Sequence, residues 1–393
     1  MNYLSRKYIA VLGVIGVIIL ICEWNRDFNT LFHNEDDDLT VNEKDATQLT
    51  KRRKKNLQYQ GYESCHRATT IPRKLLCSNN STNLTIFSIM ERNLIRQYFA
   101  HNEEAKDCRL TNGQRVYCNF TADVNYFRTA DVLYIRECFS YCMSPAYSDQ
   151  LTIRYNRGPE KRECCGPQNI KLSDIRVSYT LESTIPFPFM CWPDIQQPVL
   201  DALHLPPPKG RHGIAMFVTD CIEWRLRYLK ELMKYIHINS FGKCLHNTED
   251  GVSRHRGTDL YKPKKQETIL RYKYKFLLTF ESTVIVDYVS EKIWHGYMSQ
   301  TVPIYYGTKD VYDQAPGANT FIDATKFAGP KELAEYIKKV DRDDDLYRSF
   351  FNFDIEITRK FQEKHCPPEP LGCAMCKELY QLKQKRCATK RSH

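Results

Sequence analysis

Between Arg271 and Gly307 two short apolar runs enclose a helical pattern, and few folds accommodate that combination. Phe276 to Phe280 is apolar or β-branched and ends where Glu281, Ser282 and Thr283 begin, which predicts a buried strand followed by a loop. Asp287 is positioned to cap a helix, since its side-chain oxygen can accept from unpaired first-turn amides. Ile293, Trp294, Tyr297 and Met298 then recur on one helical face. Val302 to Tyr306 predicts a second strand, with Pro303 near its start and Gly307 closing it. Strand, helix, strand over so short a distance is a βαβ unit, and it forces the two strands to run parallel.

In parallel sheets ligands gather at the carboxyl ends of the strands, beside helix N-termini that attract phosphate. Glu281 to Lys292 occupies that place. A Lys292 ammonium there suits a diphosphate, while the Glu291 carboxylate suits sugar hydroxyls. At an effective dielectric near 20, a cation close to a phosphate oxygen contributes about 4 kcal/mol before desolvation. The competing reading makes Glu291 and Lys292 the solvated face of an amphipathic helix.

Four segments together resemble the signature of the α1,3-fucosyltransferases: Tyr274-Lys275-Phe276, Phe280-Glu281-Ser282, Asp287 through Trp294 and Val302 through Gly307. Val177 to Pro186 resembles the Ser-Tyr-x-x-x-Ser-x-x-Pro segment of the same family and extends the likeness toward the amino terminus. The resemblance implies an α/β fold of GT-B type, two Rossmann-like domains facing across a cleft. It also implies GDP-fucose as donor and inverting α1,3 transfer of L-fucose to GlcNAc of glycoprotein glycans. Ser282, Tyr288, Glu291 and Lys292 fall on the family's donor-binding positions, and Arg225, early in a helical segment from Trp224 to Leu232, on its donor-phosphate arginine. A guanidinium suits bidentate phosphate contact. The family usually has Asn where this chain has Ser282.

The family's general base is a Glu in a Glu-x-Pro motif ending a first-domain strand. Here the matching place, after the predicted strand Leu151 to Tyr155, reads Asn156-Arg157-Gly158-Pro159, without a Glu. Glu160 is the nearest substitute as base, with Glu163 and Glu137 behind it. Two readings of different kinds therefore stand: an active fucosyltransferase, or a catalytically weak or inactive relative serving as a glycan-binding or assembly partner of another transferase.

The 393 residues divide by composition. Residues 1–8 form a cytoplasmic tail and 9–24 a transmembrane signal-anchor, held amino-end-in by Arg6 and Lys7. Residues 25–60 are a polar stem. Residues 61–208 form an acceptor-side domain, 209–364 a GDP-fucose-binding domain after the Pro206-Pro207-Pro208 break, and 365–393 a Cys-rich tail. This topology predicts a single-pass type II protein of the Golgi membrane with its catalytic part in the lumen, anchored in the bilayer by residues 9–24. Asn79, Asn80, Asn83 and Asn119 begin N-glycosylation triplets, in keeping with a lumenal surface.

The net charge of +10 fits an anionic ligand, and without a nucleic-acid motif it calls for no nucleic-acid partner. Sixteen cysteines in a lumenal protein predict a disulfide framework. Setting aside Cys22 in the anchor leaves an odd number, which keeps a disulfide-linked homodimer open. Cys366, Cys373, Cys376 and Cys387 have an alternative reading as a zinc site. Asp343-Asp344-Asp345 invites a metal reading, but its place after a predicted helix, Lys331 to Lys339, favours a solvated loop. A closing helix is expected over Phe350 to Phe361. No protein-held metal is therefore expected; divalent cations enter only as a stimulant of the donor reaction.

Overall fold

The computed structural model describes residues 77, 82–88, 108–121, 126, 129–136, 150–156, 158–159, 173–249 and 263–391. The predicted membrane segment 9–24 lies outside them, as do Asn79, Asn80 and Glu160. Among the described residues no helix is long and apolar enough to cross a membrane. The chain forms two compact units. Of the described residues, one comprises those between 77 and 155, 173–176 and 369–391, the other 156, 158–159, 177–249 and 263–368.

In the first unit the strands are β1 (Asn83–Ser88), β2 (Cys108–Arg109), β3 (Arg115–Thr121), β4 (Val132–Arg136) and β5 (Leu151–Asn156). They lie in the order β2-β3-β1-β4-β5 and are parallel except for the β2–β3 pair. Val132, Leu133 and Tyr134 of β4 and Leu151, Thr152 and Ile153 of β5 are all buried, as expected of strands covered on both faces. The Cys-rich tail is a helix, Leu371–Arg391. Its cysteines pair with this sheet unit: Cys373 with Cys108, Cys376 with Cys118, and Cys387 with Cys77. With Cys366 bonded to Cys191 in the second unit, all four sulfurs of the zinc alternative are consumed, and that alternative is excluded.

Strand β6 (Ile175–Ser178) is divided between the units, and its second half pairs with β7 (Ile185–Pro186). The second unit then contains α1 (Pro193–Leu203), β8 (Ile214–Met216), α2 (Glu223–Leu232), β9 (Ile238–Ser240), α3 (Pro263–Lys273), β10 (Phe276–Phe280) and α4 (Glu291–Met298). It continues through β11 (Val302–Tyr306), α5 (Val311–Gln314), β12 (Ile322–Asp323), α6 (Pro330–Arg342), α7 (Asp344–Ser349) and α8 (Ile355–His365). The sheet runs β12-β11-β10-β8-β9 with every described pair parallel. Phe276 stands opposite Val302 and Phe280 opposite Tyr306, the register the βαβ pattern demands.

All five residues of β10 are buried, so the run is continuously apolar rather than alternating. Ile293, Trp294 and Tyr297 of α4 are buried with it, and Met298 is half-buried. Chain order reverses between β8 and β10, because β9 lies outward of β8 while β11 and β12 continue on the far side. That reversal is a topological switch point, and at such points of open parallel sheets the loops at the strands' carboxyl ends ordinarily diverge and leave room for a ligand.

Three local expectations are corrected. Asp287 does not cap α4: the helix begins at Glu291 with Ser290 before it, and Asp287 lies in the loop with φ of 64°. The closing helix spans Ile355–His365 instead of beginning at Phe350, because Asp354 supplies the side-chain cap to Glu356 N. Asp343 likewise caps α7 through Leu346 N, so the acidic run starts a helix where a loop was expected. Among the described residues no group of His, Cys, Asp or Glu is placed to hold a metal.

Candidate functional site

At the switch point the segments that follow β8 and β10 are tied together by side chains of α2. Arg225, in the first turn of α2, is 2% exposed. It donates from Nη1 to the carbonyl of Phe280, the last residue of β10, at 2.9 Å, and from Nη2 to the carbonyl of Asp220, after β8, at 2.5 Å. Trp224 adds a third tie, its indole N–H donating to the Ser282 carbonyl at 3.1 Å. Cys221 is disulfide-bonded to Cys244 and braces the same loop from the β9 side. Arg225 therefore ties the two strand ends together, each terminal nitrogen giving one of its two N–H groups to a backbone carbonyl.

Glu281 follows β10 directly and is fully buried. Its carboxylate accepts from Ser290 N at 2.8 Å, from Ser290 Oγ at 2.7 Å and from Lys292 Nζ at 3.2 Å. The loop 281–290 is thus closed at its neck, and the start of α4 is fixed by a carboxylate where the helix dipole favours one. Burial pushes the Glu281 carboxyl upward, against the pull of Lys292 and the Ser290 bonds. For Lys292 burial alone would lower the ammonium, but Glu281, Glu291 and Tyr288 outweigh it and hold it above its usual range.

Lys292 Nζ also donates to Ser290 Oγ at 2.7 Å, and Glu291 Oε1 stands 3.8 Å away. An ammonium has three donors, so these two bonds leave one for a ligand. The side chain is 24% exposed, which gives that donor access. Arg225 and Lys292 thus stand at the strand ends with the carboxylates of Glu281 and Glu291, and the remaining Lys292 N–H is the donor that suits an anion.

The rest of loop 281–290 is tethered as tightly. Tyr288 is buried, in edge contact with Tyr179 at 5.1 Å and Phe189 at 6.0 Å between centroids. Burial pushes its phenol up to about 12, against a hydrogen bond from Ser282. Asp287 donates its backbone N–H to Asp310 Oδ2 at 2.6 Å and accepts from Leu181 N at 2.9 Å. Those two bonds hold a non-glycine residue in the left-handed region, a conformation that persists only where its surroundings impose it. Gly307, after β11, cannot carry a side chain: a Cβ there would lie 2.2 Å from Tyr305 Oη and 2.9 Å from Glu281 Cγ.

The structure therefore brings Ser282, Tyr288, Glu291 and Lys292 together on one tethered loop and helix start, with Arg225 beneath them. Sequence reasoning missed Glu281, whose signal was an acidic residue directly behind a wholly apolar strand. Glu160 lies outside the described residues. Asn156 is buried at the end of β5, with its carboxamide oxygen accepting from Gly158 N at 3.1 Å in a local turn.

Residues 207–392, which include Arg225, Glu281, Ser282, Tyr288, Glu291 and Lys292, match the family described as "Glycosyltransferase family 10 (fucosyltransferase) C-term". The carboxy-terminal half thus matches a family 10 fucosyltransferase domain. Similar proteins include GDP-fucose protein O-fucosyltransferase 3 of Xenopus laevis, 38% identical over 149 residues, which cover 37% of this chain and 31% of the relative. The Homo sapiens protein of that name is 35% identical over 133 residues, 33% of this chain and 26% of the relative. The match thus spans about a third of these relatives' length or less. Among solved structures, an α1,3-fucosyltransferase with GDP-fucose aligns at a TM-score of 0.48 and 14% identity over 81% of this chain and 95% of that one. One with GDP aligns at 0.45 and 18% identity over 74% and 87%.

Proposed function

We propose that this protein transfers L-fucose from GDP-fucose to an acceptor on glycoproteins or proteins, working in the Golgi lumen from a type II membrane anchor at residues 9–24. The observation that carries the reading is the Lys292 ammonium, fixed by Glu281 and Ser290 at the switch point of a family 10 domain, with a donor left for a diphosphate. In this account Lys292 neutralises the departing diphosphate, and the buried Arg225 adds positive potential from below. Tyr288, Glu291 and Ser282 orient the nucleotide sugar. An acceptor oxygen attacks C1 of fucose, the C1–O bond to the β-phosphate breaks, and GDP leaves with the electron pair. The acceptor proton passes to a carboxylate, for which Glu160 is our candidate. The anomeric centre inverts. No step calls on a protein-held metal.

For the acceptor, the naming of the relatives as protein O-fucosyltransferases favours a hydroxyl on a polypeptide. Val284 and Val286, 50% and 72% exposed on the loop that carries Tyr288, give this region an apolar surface suited to a protein partner. The motif segments favour a second reading, α1,3 transfer to GlcNAc of a glycan. The sequence Asn156 to Pro159, lacking a Glu, favours a third, a non-catalytic relative that retains GDP binding. The test is to incubate the purified full chain with GDP-fucose and three acceptor sets: folded small domains, unfolded peptides and GlcNAc-terminated glycans. Fucose on serine or threonine supports the first reading and fucose on GlcNAc the second. GDP binding without turnover on any set supports the third. Full turnover by Glu160→Gln would remove that residue from the mechanism.

A further inference from the structure

Parallel sheets ordinarily have both faces covered by protein. The first unit obeys this at β4 and β5 and departs from it at β3, where burial alternates strictly from Arg115 to Asn119. Val116 and Cys118 point inward, and Cys118 is bonded to Cys376 of the carboxy-terminal helix. Tyr117 and Asn119 point outward and are exposed, Tyr117 at 37%. The register places Asn83 opposite Tyr117 and Thr85 opposite Asn119, on the same outer face. Residues two apart on a strand share a face about 7 Å apart. The run Tyr117-Cys118-Asn119-Phe120-Thr121 therefore sets an aromatic ring, an acceptor amide and the hydroxyl of an Asn-x-Thr triplet in one outward row.

We infer that Asn119 carries an N-linked oligosaccharide whose first GlcNAc packs on the ring of Tyr117, covering the open face of β1 and β3. The occupant is written into the patch itself, since the acceptor triplet and its platform belong to one strand. The apolar face of a pyranose complements an exposed ring, as other apolar groups do. The disulfide at Cys118 holds the intervening residue on the opposite face, so the row cannot rotate. In the covalent step the Asn119 amide nitrogen attacks C1 of a polyprenyl-diphosphate-linked oligosaccharide presented by the host's lumenal oligosaccharyltransferase. The N–C1 bond forms, the C1–O bond to phosphate breaks, the diphosphate departs with the electron pair, and an amide proton is lost. The inference rests on the lumenal reading above, which the five described disulfides support independently.

The test expresses the full chain, with its own amino terminus, in a eukaryotic host and maps occupancy by peptide-N-glycosidase treatment in heavy-oxygen water. Melting is then compared for wild type, Thr121→Ala, Tyr117→Ser and the double variant. Thr121→Ala removes the triplet while leaving Asn119 in place. We expect Asn119 to be occupied. Loss of its glycan should lower Tm by about 2–4 °C when Tyr117 is present, and by nothing measurable in the Tyr117→Ser background, where the ring is gone. An equal drop in both backgrounds would overturn the role of Tyr117. An unoccupied Asn119 in a chain with intact disulfides would overturn the inference and leave the lumenal reading standing. Free cysteines together with no occupied triplet anywhere would overturn both.

Discussion

Removing the ammonium at position 292 separates ligand binding from architecture. In Lys292→Ala the diphosphate loses a cationic partner, an interaction of about 4 kcal/mol for unit charges about 4 Å apart at an effective dielectric near 20. Solvent reaches this side chain, which is 24% exposed, and desolvation takes a further share. About 2 kcal/mol remains, a loss of GDP affinity of about 30-fold. The same change strips the buried Glu281 carboxylate of its ion-pair partner, which costs about 3 kcal/mol of stability. Glu281→Gln in the same chain removes that uncompensated charge, and the Gln oxygen can still accept from Ser290. The double variant should therefore recover most of the lost stability and none of the lost affinity. Calorimetric titration with GDP and urea unfolding measure the two quantities on the same preparations. Wild-type GDP affinity in the double variant would refute the assignment of Lys292 to the diphosphate.

Other consequences follow from the same geometry. Gly307→Ala should destabilise the second unit by about 1–3 kcal/mol in urea unfolding, because the new Cβ collides with Tyr305 and Glu281. Replacing Cys221 and Cys244 by serine opens a loop whose ends are 23 residues apart, and should cost about 3 kcal/mol and loosen GDP binding measured by titration. Tyr228, Tyr288 and Tyr347 are each pushed by burial from 10.0 to about 12. Raised phenols contribute stability that is complete below pH 10 and is lost as pH climbs through about 12. Phenolate absorbance should therefore rise late, together with unfolding, in that window; early titration of all the tyrosines without unfolding would contradict it.

The βαβ core was legible because Phe276–Phe280 and Val302–Tyr306 are short, apolar and bounded by polar residues, so length and composition decide for strand. The start of α4 was legible less well. Asp287 has the chemistry of a cap, but Asp310, 23 residues further on, and Leu181, 106 residues back, claim it instead. A local rule cannot anticipate partners at that range. Arg225 shows the same limit: its residue type suits phosphate, but the two backbone carbonyls that the sheet brings to its terminal nitrogens lie 5 and 55 residues away, and no local rule names them. The cysteine count predicted bridges but not their partners, since Cys77 reaches Cys387 across 310 residues and no spacing encodes that. Glu281 was read as the beginning of a loop because its burial follows from the close packing of Gly307 and Tyr305 around it.

The central claim is that a sugar nucleotide sits at the switch point between β8 and β10 with its diphosphate against Lys292. A crystal structure of the protein grown with GDP tests it most directly. The account predicts a diphosphate oxygen within hydrogen-bond distance of Lys292 Nζ, above the carboxyl end of β10, with the Glu281–Ser290 tie intact. Density for GDP elsewhere, with Lys292 turned away from it, would contradict the account.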